Sequence, residues 1–259
     1  MSGARGPMSK APDITGPGAP GHRAAAGEPA DVVFDAVIFD MDGVLVDTEP
    51  IWESVRSAFA RRHGRGWGPE DHPVVAGKNS REWAASMRTH LGIAAGEDEI
   101  ERAIVDGVVD ALRRDGAPPV EGAADAARRI SGWTRTALAS SAHRDIIAAT
   151  LAAVGLDGTF DAVVSSDDVS RGKPHPDVFL EAARRLGAPA DRCLVVEDSL
   201  AGVLAGRAAA MTVLLVPSPS FPPPPLAMES SDWVLERLES LERPTPAALA
   251  AVARRGGHG

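Results

Sequence analysis

The sequence predicts an α/β fold in which a parallel sheet, covered by helices on both faces, carries a helical insertion. Five short apolar runs have the length and composition of buried parallel strands, and amphipathic helical patterns separate most of them. Strands that alternate with helices indicate βαβ units and therefore a parallel sheet. The stretch between the first two runs shows only helical patterns and is too long for a simple crossover connection.

The five apolar runs mark the predicted strands in chain order. They are Ala36–Phe39, Thr136–Ala139, Ala162–Val164, Leu194–Val196 and Thr212–Val216. Apolar side chains at helical spacing follow the second run and the third run, respectively Ile147, Leu151 and Val154, and Phe179, Ala182 and Leu186. Each of these two segments is therefore predicted to be a helix that packs on the sheet.

Three further amphipathic patterns lie between the first two strands. Each repeats an apolar side chain at every fourth position, and the three sets are Ile51, Val55 and Phe59; Trp83, Met87 and Leu91; and Ile100, Ile104 and Val108. We therefore assign residues 50–120 to a helical domain inserted in an α/β core of residues 31–49 and 121–259. Two consecutive prolines, Pro118 and Pro119, mark the predicted return to the core.

The first thirty residues differ in composition from the rest of the chain. They consist largely of Gly, Ala and Pro without a hydrophobic period, which predicts a disordered extension. Gly16, Gly18 and Gly21 match the G-x-G-x-x-G dinucleotide fingerprint. That fingerprint needs a strand before it and a helix after it, whereas here prolines interrupt it and no strand pattern precedes it. We therefore discard it.

Composition and charge exclude several classes of protein. The 27 basic and 36 acidic side chains leave a net charge of −9, which argues against a nucleic-acid partner. No apolar run reaches the roughly 18 residues that a membrane span requires, so no membrane association is expected. The single cysteine, Cys193, excludes an internal disulfide and a cysteine-based zinc site, and it favours a reducing, cytoplasmic location. Oligomeric state leaves no signature in the sequence.

Polar residues that suit phosphate and metal chemistry follow the predicted strands. In open parallel sheets, ligands bind outside the carboxyl ends of the strands. The residues at these positions are Asp40, Asp42 and Gly43, then Ser140 and Ser141, then Lys173, and finally Glu197 and Asp198. Each short motif alone is also typical of a turn or a helix cap. Together the carboxylates would repel one another at one sheet edge, which favours a site that holds a cation.

Four segments resemble the motifs of the haloacid dehalogenase-like hydrolase superfamily, in the order and spacing of that family. They are Phe39–Glu49, Ala137–Ser141, Gly172–Asp177 and Val195–Ser199. The resemblance extends over about residues 33–245. It implies a Rossmann-like parallel-sheet core with an inserted all-helical cap domain. The position of the insertion, between the first and second motifs, resembles the subfamily with a C1-type cap.

The resemblance also implies roles for the first motif and for the metal. Asp40 would be a nucleophile that forms an aspartyl-phosphate, and Asp42 would be the general acid and base. Magnesium would be held by Asp40, by the backbone carbonyl of Asp42 and by Asp198, with Glu197 as a more distant or water-mediated partner. Gly43 would let the chain turn sharply and approach the substrate closely.

Further roles fall on the second and third motifs and on the cap. Lys173 would neutralise charge on the phosphoryl group and on Asp40, and Ser140 would donate its hydroxyl to a phosphate oxygen, helped by backbone amides near Ser141. In the predicted cap, the segment that contains Gly77 and Arg81 resembles the substrate loop of the β-phosphoglucomutase branch. These two residues are therefore candidates for substrate binding.

The function implied is a magnesium-dependent phosphatase that acts on a small phosphorylated metabolite, in particular a sugar phosphate. Asp42 argues against the dehalogenase branch, which lacks the second aspartate of the first motif. A phosphosugar mutase is the main alternative, although Trp52 stands where the mutases have a histidine. A non-catalytic protein that binds a phosphorylated metabolite is the third possibility. The presence together of Asp40, Asp42, Lys173 and Asp198 argues against it.

Four positions are given structural roles or are left open. Trp52 is expected to pack within the cap rather than to contact a substrate. Thr48 suits a turn or a helix cap as well as a place in the site. Ala210 stands where the family often has glycine, which leaves the conformation of that turn open. Residues Phe221–Pro225 are expected to form a proline-rich surface loop.

Overall fold

The computed structural model describes residues 33–76, 78–218 and 220–256. Within these residues, seven strands form one sheet in the spatial order β3-β2-β1-β4-β5-β6-β7. The strands are β1 Ala36–Phe39, β2 Arg135–Ser140, β3 Ala162–Ser165, β4 Cys193–Glu197, β5 Thr212–Leu215, β6 Trp233–Val234 and β7 Arg254–Arg255. Neighbouring strands are parallel except β6 and β7, which are antiparallel. The predicted α/β class is confirmed.

Each of the five predicted strands is present, and two more follow them. Strands β6 and β7 contain two residues each, which is too short for a recognisable apolar run. Strand β3 lies at the edge of the sheet, and its Val163 is exposed rather than buried. Strand β1 lies between β2 and β4, so that Phe39 is opposite both Leu138 and Val196. This central position brings the end of β1 between the ends of its two neighbours.

The described residues contain nine α-helices. The first three along the chain are α1 Glu49–Arg62, α2 Ser80–Leu91 and α3 Glu97–Asp115. The others are α4 Ala123–Ser131, α5 Arg144–Ala153, α6 Asp177–Leu186, α7 Leu200–Ala208, α8 Pro225–Ser230 and α9 Pro246–Val252. Short 3₁₀ segments occur at Pro69–Val74, Ser166–Asp168, Ala190–Arg192 and Leu238–Ser240.

The two faces of the sheet are buried in two separate apolar clusters. Side chains alternate between faces along a strand, so Phe39 and Leu138 belong to one cluster and Ile38 to the other. The first cluster continues into the helices that precede β2, and the second contains Phe179 of α6 and Val203 of α7. Both faces are therefore covered, as a parallel sheet requires.

The segment that follows β1 is paired with the segment that precedes α4. Val46 pairs with Pro119 in an antiparallel bridge, and the backbone N–H of Asp47 donates to the carbonyl of Pro118 at 2.8 Å. Helices α1 to α3 begin and end between these two points. The assignment of residues 50–120 to a separate cap domain stays a prediction.

Some of the sequence predictions fall on residues outside those described. The predicted extension of residues 1–30, with its glycine fingerprint, is one of them, and Gly77 is another.

Among the helices of the described residues, none combines the length and the apolar character that crossing a bilayer requires.

Ala210 adopts a left-handed backbone conformation that the sequence analysis left open. Its φ is +59°, and it is the one non-glycine residue with positive φ in the described part of the chain. A side chain in this conformation costs about 1 kcal/mol because the Cβ atom crowds the following carbonyl. The turn that follows α7 is therefore strained.

We expect Ala210→Gly to raise the free energy of unfolding by about 1 kcal/mol, measured by urea denaturation. Ala148→Gly is the matched control, since Ala148 is exposed and lies in the interior of α5. That change is expected to lower the free energy of unfolding by about 0.5 to 1 kcal/mol. Destabilisation by both changes would contradict the assigned conformation.

Candidate active site

The ends of the central strands form the floor of a cavity of about 380 Å³. Asp40 follows β1, Ser141 follows β2 and Asp198 follows β4, and all three line the cavity. Lys173 reaches the same place from the segment before α6. The topology therefore brings together residues that are far apart in sequence, as the rule for parallel sheets predicts.

Lys173 forms two short ion pairs at the base of this floor. Its Nζ lies 2.6 Å from Oδ1 of Asp40 and 2.6 Å from Oε1 of Glu197. The same atom donates to the carbonyl oxygen of Ala139 at 3.3 Å and lies 4.9 Å from the ring centroid of Phe179. Burial opposes the charged form, but the two carboxylates outweigh it and raise the pKa of Lys173. The side chain is thus a fixed ammonium.

Glu197 is fully buried and is held at both oxygens. Its Oε1 accepts from Lys173, and its Oε2 accepts from the backbone N–H groups of Asp198 and Ser199 and from the Ser199 hydroxyl. These groups lie at the start of α7. A Cβ atom on Gly202 would lie 1.7 Å from Oε1 of Glu197, so Glu197 can keep this position only when residue 202 is glycine.

Carboxylates outnumber cations at this floor. Oxygen atoms of Asp40, Glu197 and Asp198 lie within 4.8 Å of one another. Burial, with the charges of Glu197 and Asp42, raises the pKa of Asp40 to about 7 in spite of Lys173. Burial and the charges of Glu197 and Asp40 also raise the pKa of Asp198 well above its ordinary value. A divalent cation would relieve this repulsion, and oxygen atoms are the ligands that hard cations prefer.

Gly43 is necessary for the approach of the first motif to Asp198. Its φ is +84°, and a Cβ atom there would lie 1.9 Å from Oδ2 of Asp198. Glycine is therefore required on two grounds, the backbone conformation and the close contact. Gly43 also lines the cavity, as expected for a residue near the substrate.

Asp42 is half-buried at the cavity, and its carboxylate is hydrogen-bonded at the start of α1. Burial raises its pKa to about 6, while hydrogen bonds from Thr48 and Trp52 oppose the shift. Thr48 occupies the cap position of α1 but makes no side-chain capping bond; its hydroxyl donates to Oδ1 of Asp42 instead. Thr48 therefore lies at the start of a helix and also contacts a residue of the site. Asp47 accepts a hydrogen bond from Ser220.

The two serines of the second motif occupy different positions. Ser140 is buried, and its Oγ accepts a hydrogen bond from the backbone N–H of Ala142 at 3.1 Å. A hydroxyl that accepts this bond keeps its own hydrogen for donation. Ser141 and Ala142 line the cavity, whereas Ser140 is not among the lining residues.

The predicted substrate residue Arg81 lies away from the cavity. It is exposed in the first turn of α2, where its charge acts on Glu101 of α3. The other predicted cap residue, Gly77, lies outside the described residues. The part of the chain from α1 to α2 instead supplies six other polar and aromatic residues to the cavity, which we call the roof: Glu49, Trp52, Arg56, His72, Lys78 and Trp83.

Side chains of the roof are held by one another. Oε1 of Glu49 lies 3.0 Å from Nη1 of Arg56 and 2.9 Å from Nδ1 of His72. The guanidinium of Arg56 lies 4.8 Å from the ring centroid of Trp52, which meets Trp83 edge-on at 6.2 Å. Trp52 therefore packs within the insertion, as expected, and also lines the cavity. Trp52 lies three residues after Glu49 and four residues before Arg56, a spacing that places all three on one face of a helix. This spacing is the sequence signal that could have identified them as neighbours.

One wall of the cavity comes from the proline-rich segment after β5. Phe221 and the three prolines that follow it line the cavity, although Phe221 is 41% exposed. The Phe221 ring stacks on His72 with a centroid distance of 4.9 Å and an interplanar angle of 14°. The stretch is largely exposed, as expected for a surface loop. The segment borders the site, and no short-range pattern in the sequence indicates this contact.

Comparisons with known proteins agree with this arrangement of motifs. The model of the haloacid dehalogenase-like hydrolase family matches residues 34–210. Among curated relatives, hexitol phosphatase A of Escherichia coli is 32% identical over 211 residues, which cover 79% of this chain and 91% of that protein. A bifunctional riboflavin kinase/FMN phosphatase of Arabidopsis thaliana is 32% identical over 184 residues. That match covers 70% of this chain but only 48% of the plant protein.

Solved structures show the same fold. CbbY from Rhodobacter sphaeroides, crystallised with phosphate, superposes with a TM-score of 0.73 at 23% identity, over 84% of this chain and 99% of that chain. A β-phosphoglucomutase from Clostridium difficile superposes with a TM-score of 0.69 at 20% identity, over 80% of this chain and 93% of that chain. With its four motifs at one sheet edge and a family match over most of its length, this chain belongs to the haloacid dehalogenase-like hydrolases.

Proposed function

We propose that this protein is a magnesium-dependent phosphatase of a small phosphorylated metabolite and acts through an aspartyl-phosphate at Asp40. The observation that carries the proposal is the buried Asp40–Lys173 pair, which opens onto the cavity beside Asp42 and Asp198. The similarity to a hexitol phosphatase supports a sugar or polyol phosphate as substrate. A cytoplasmic location is proposed on the single cysteine, Cys193.

Covalent catalysis at Asp40 would divide the hydrolysis into two displacements. An oxygen of Asp40 attacks phosphorus, the bond from phosphorus to the leaving alkoxide breaks, and the carboxyl group of Asp42 donates its proton to that alkoxide. The carboxylate of Asp42 then takes a proton from water while the water oxygen attacks phosphorus. The bond from phosphorus to Asp40 breaks, which releases inorganic phosphate. A pKa of about 6 suits Asp42 to both transfers near neutral pH.

Magnesium fits the donor set on this floor. Asp40 and Asp198 would hold it, with the backbone carbonyl of Asp42. When bound, the ion supplies positive charge to the phosphoryl oxygens. Lys173 remains protonated throughout and stabilises the negative charge next to Asp40. Glu197 keeps Lys173 in position, since its two oxygens already accept four hydrogen bonds.

The direct test is release of inorganic phosphate from a panel of phosphorylated sugars and polyols in the presence of magnesium. We expect turnover by the unmodified protein and a loss of at least about 10³-fold with Asp40→Asn, because the nucleophile is removed. Phosphate release that persists in the variant would refute Asp40 as nucleophile. Interconversion of glucose 1-phosphate and glucose 6-phosphate without phosphate release would establish the mutase alternative.

Gly202→Ala tests whether Glu197 positions Lys173. The added Cβ atom would occupy the place of Oε1 of Glu197, so Glu197 must move away from Lys173. We expect kcat/KM to fall at least about tenfold, which corresponds to about 1.4 kcal/mol, while circular dichroism stays unchanged. Gly66→Ala is the control, since nothing lies within 4 Å of a Cβ atom there. Unchanged activity in Gly202→Ala would contradict the positioning role.

The pKa of Asp40 predicts how magnesium affects stability at different pH values. The folded state holds the proton on Asp40 up to about pH 7, whereas the ordinary carboxyl value is 3.8. Without metal, this group's contribution to stability therefore falls as pH rises from about 4 to 7. Magnesium competes with that proton, so its stabilising effect should be larger at about pH 8 than at about pH 5.

Thermal melts with and without magnesium measure this effect. One magnesium concentration, about 100 times the Kd at pH 8, is used at both pH values. Near pH 8 we expect Tm to rise by about 5 to 10 °C. The rise should be smaller near pH 5 and absent in Asp198→Asn. An equal rise at both pH values would show that the ion binds elsewhere.

A further inference from the structure

Lys78 places an uncompensated positive charge in the roof of the cavity. Its Nζ donates to the carbonyl oxygen of Val74 at 2.8 Å and to Oγ of Ser86 at 2.7 Å. Both acceptors are neutral, and Lys78 forms no ion pair with any residue that the structure describes. The two hydrogen bonds fix the ammonium beside the cavity without neutralising it.

Arg56 adds a buried donor to the same roof. The residue is only 6% exposed, and its Nη1 pairs with Glu49. Its Nε atom is buried and has no hydrogen-bond partner among the described residues. A buried donor without an acceptor is unfavourable, and a bound ligand oxygen would remove that cost.

Charge is distributed unequally between the two sides of the cavity. The roof has two permanent positive charges, Arg56 and Lys78, and one carboxylate, Glu49. The floor has the opposite excess, since Lys173 stands against several carboxylates there. A cation and the reacting phosphate would balance the floor, whereas the roof needs an additional negative charge.

The lining between the two sides strengthens this preference. Trp52, Trp83, Phe221 and the prolines after it contribute apolar surface to the same cavity. Charges act more strongly on each other where apolar side chains exclude water. Sugar hydroxyls could accept a hydrogen bond from Nε of Arg56, but they would leave the net charge of the roof unbalanced.

We propose that the substrate carries a second anionic group, a carboxylate or a phosphate, at the end remote from the scissile phosphate, and that Lys78 with Arg56 binds it. This inference rests on the proposed phosphatase function and narrows its substrate class. Lys78 is the specificity-determining residue, since it has no carboxylate partner of its own. Arg56 contributes the second donor and is itself held by Glu49.

Matched substrates separate the second charge from all other features. 6-Phosphogluconate, glucitol 6-phosphate and glucitol 1,6-bisphosphate differ at one end only, where they have a carboxylate, a hydroxyl and a phosphate. 3-Phosphoglycerate and glycerol 3-phosphate form a shorter pair. We expect kcat/KM to be at least about tenfold higher for an anionic member than for its neutral counterpart at one or both lengths. The carboxylate and the phosphate compounds show which anion is preferred.

Variants at Lys78 then assign the preference to the roof. Lys78→Met should reduce the preference at least about fivefold, because kcat/KM for the anionic substrate falls further than kcat/KM for the neutral substrate. Lys78→Arg should retain most of the preference because it retains the charge. Arg88→Met is the control for net charge, since Arg88 is an exposed residue of α2 that pairs with Glu97.

Binding to the Asp40→Asn protein, measured by calorimetry with the same compounds, gives a readout that does not depend on turnover. Tighter binding of the anionic members, weakened by Lys78→Met, supports the inference even if the reaction differs from hydrolysis. Phosphate release without any preference for a second charge overturns the inference and leaves the proposed function standing. Equal binding of anionic and neutral members, or binding of none, overturns it as well.

Discussion

A buried ammonium between two carboxylates is the contact on which the rest of the site depends. Lys173 lies within 2.6 Å of both Asp40 and Glu197, and these residues come from three separate segments of the chain. A buried charge is tolerated only when it is paired and hydrogen-bonded. The pairing therefore couples the ends of β1 and β4 to the segment before α6, and it fixes the carboxylate of Asp40 at the cavity.

Small residues make this concentration of charge possible. A Cβ atom on Gly43 would meet Asp198, and one on Gly202 would meet Glu197, so neither carboxylate could keep its place beside a larger residue. The two glycines serve different elements, a turn after β1 and the first turn of α7. The geometry of the acidic floor thus depends on residues that carry no functional group.

The cavity combines two electrostatic environments. The floor is rich in carboxylates and suits a cation with a phosphate, whereas the roof has an excess of positive charge around Arg56 and Lys78. Thr48 connects the two, because it precedes α1 of the roof and its hydroxyl donates to Asp42 of the floor. Binding and chemistry would therefore be divided between the insertion and the sheet.

The sequence by itself determined the five longer strands of the sheet and the floor of the site. Apolar runs identify β1 to β5, and the strand-end rule identifies Asp40, Asp42 and Asp198, because both signals are local and the topology of parallel sheets leads them to one edge. Only the tertiary structure decided the roof. The contacts of His72 with Glu49 and Phe221 join distant segments, and Arg81 could not be separated from Lys78 by sequence alone. Which face of an inserted helix meets the cavity depends on how the insertion packs, and no short-range pattern encodes that packing.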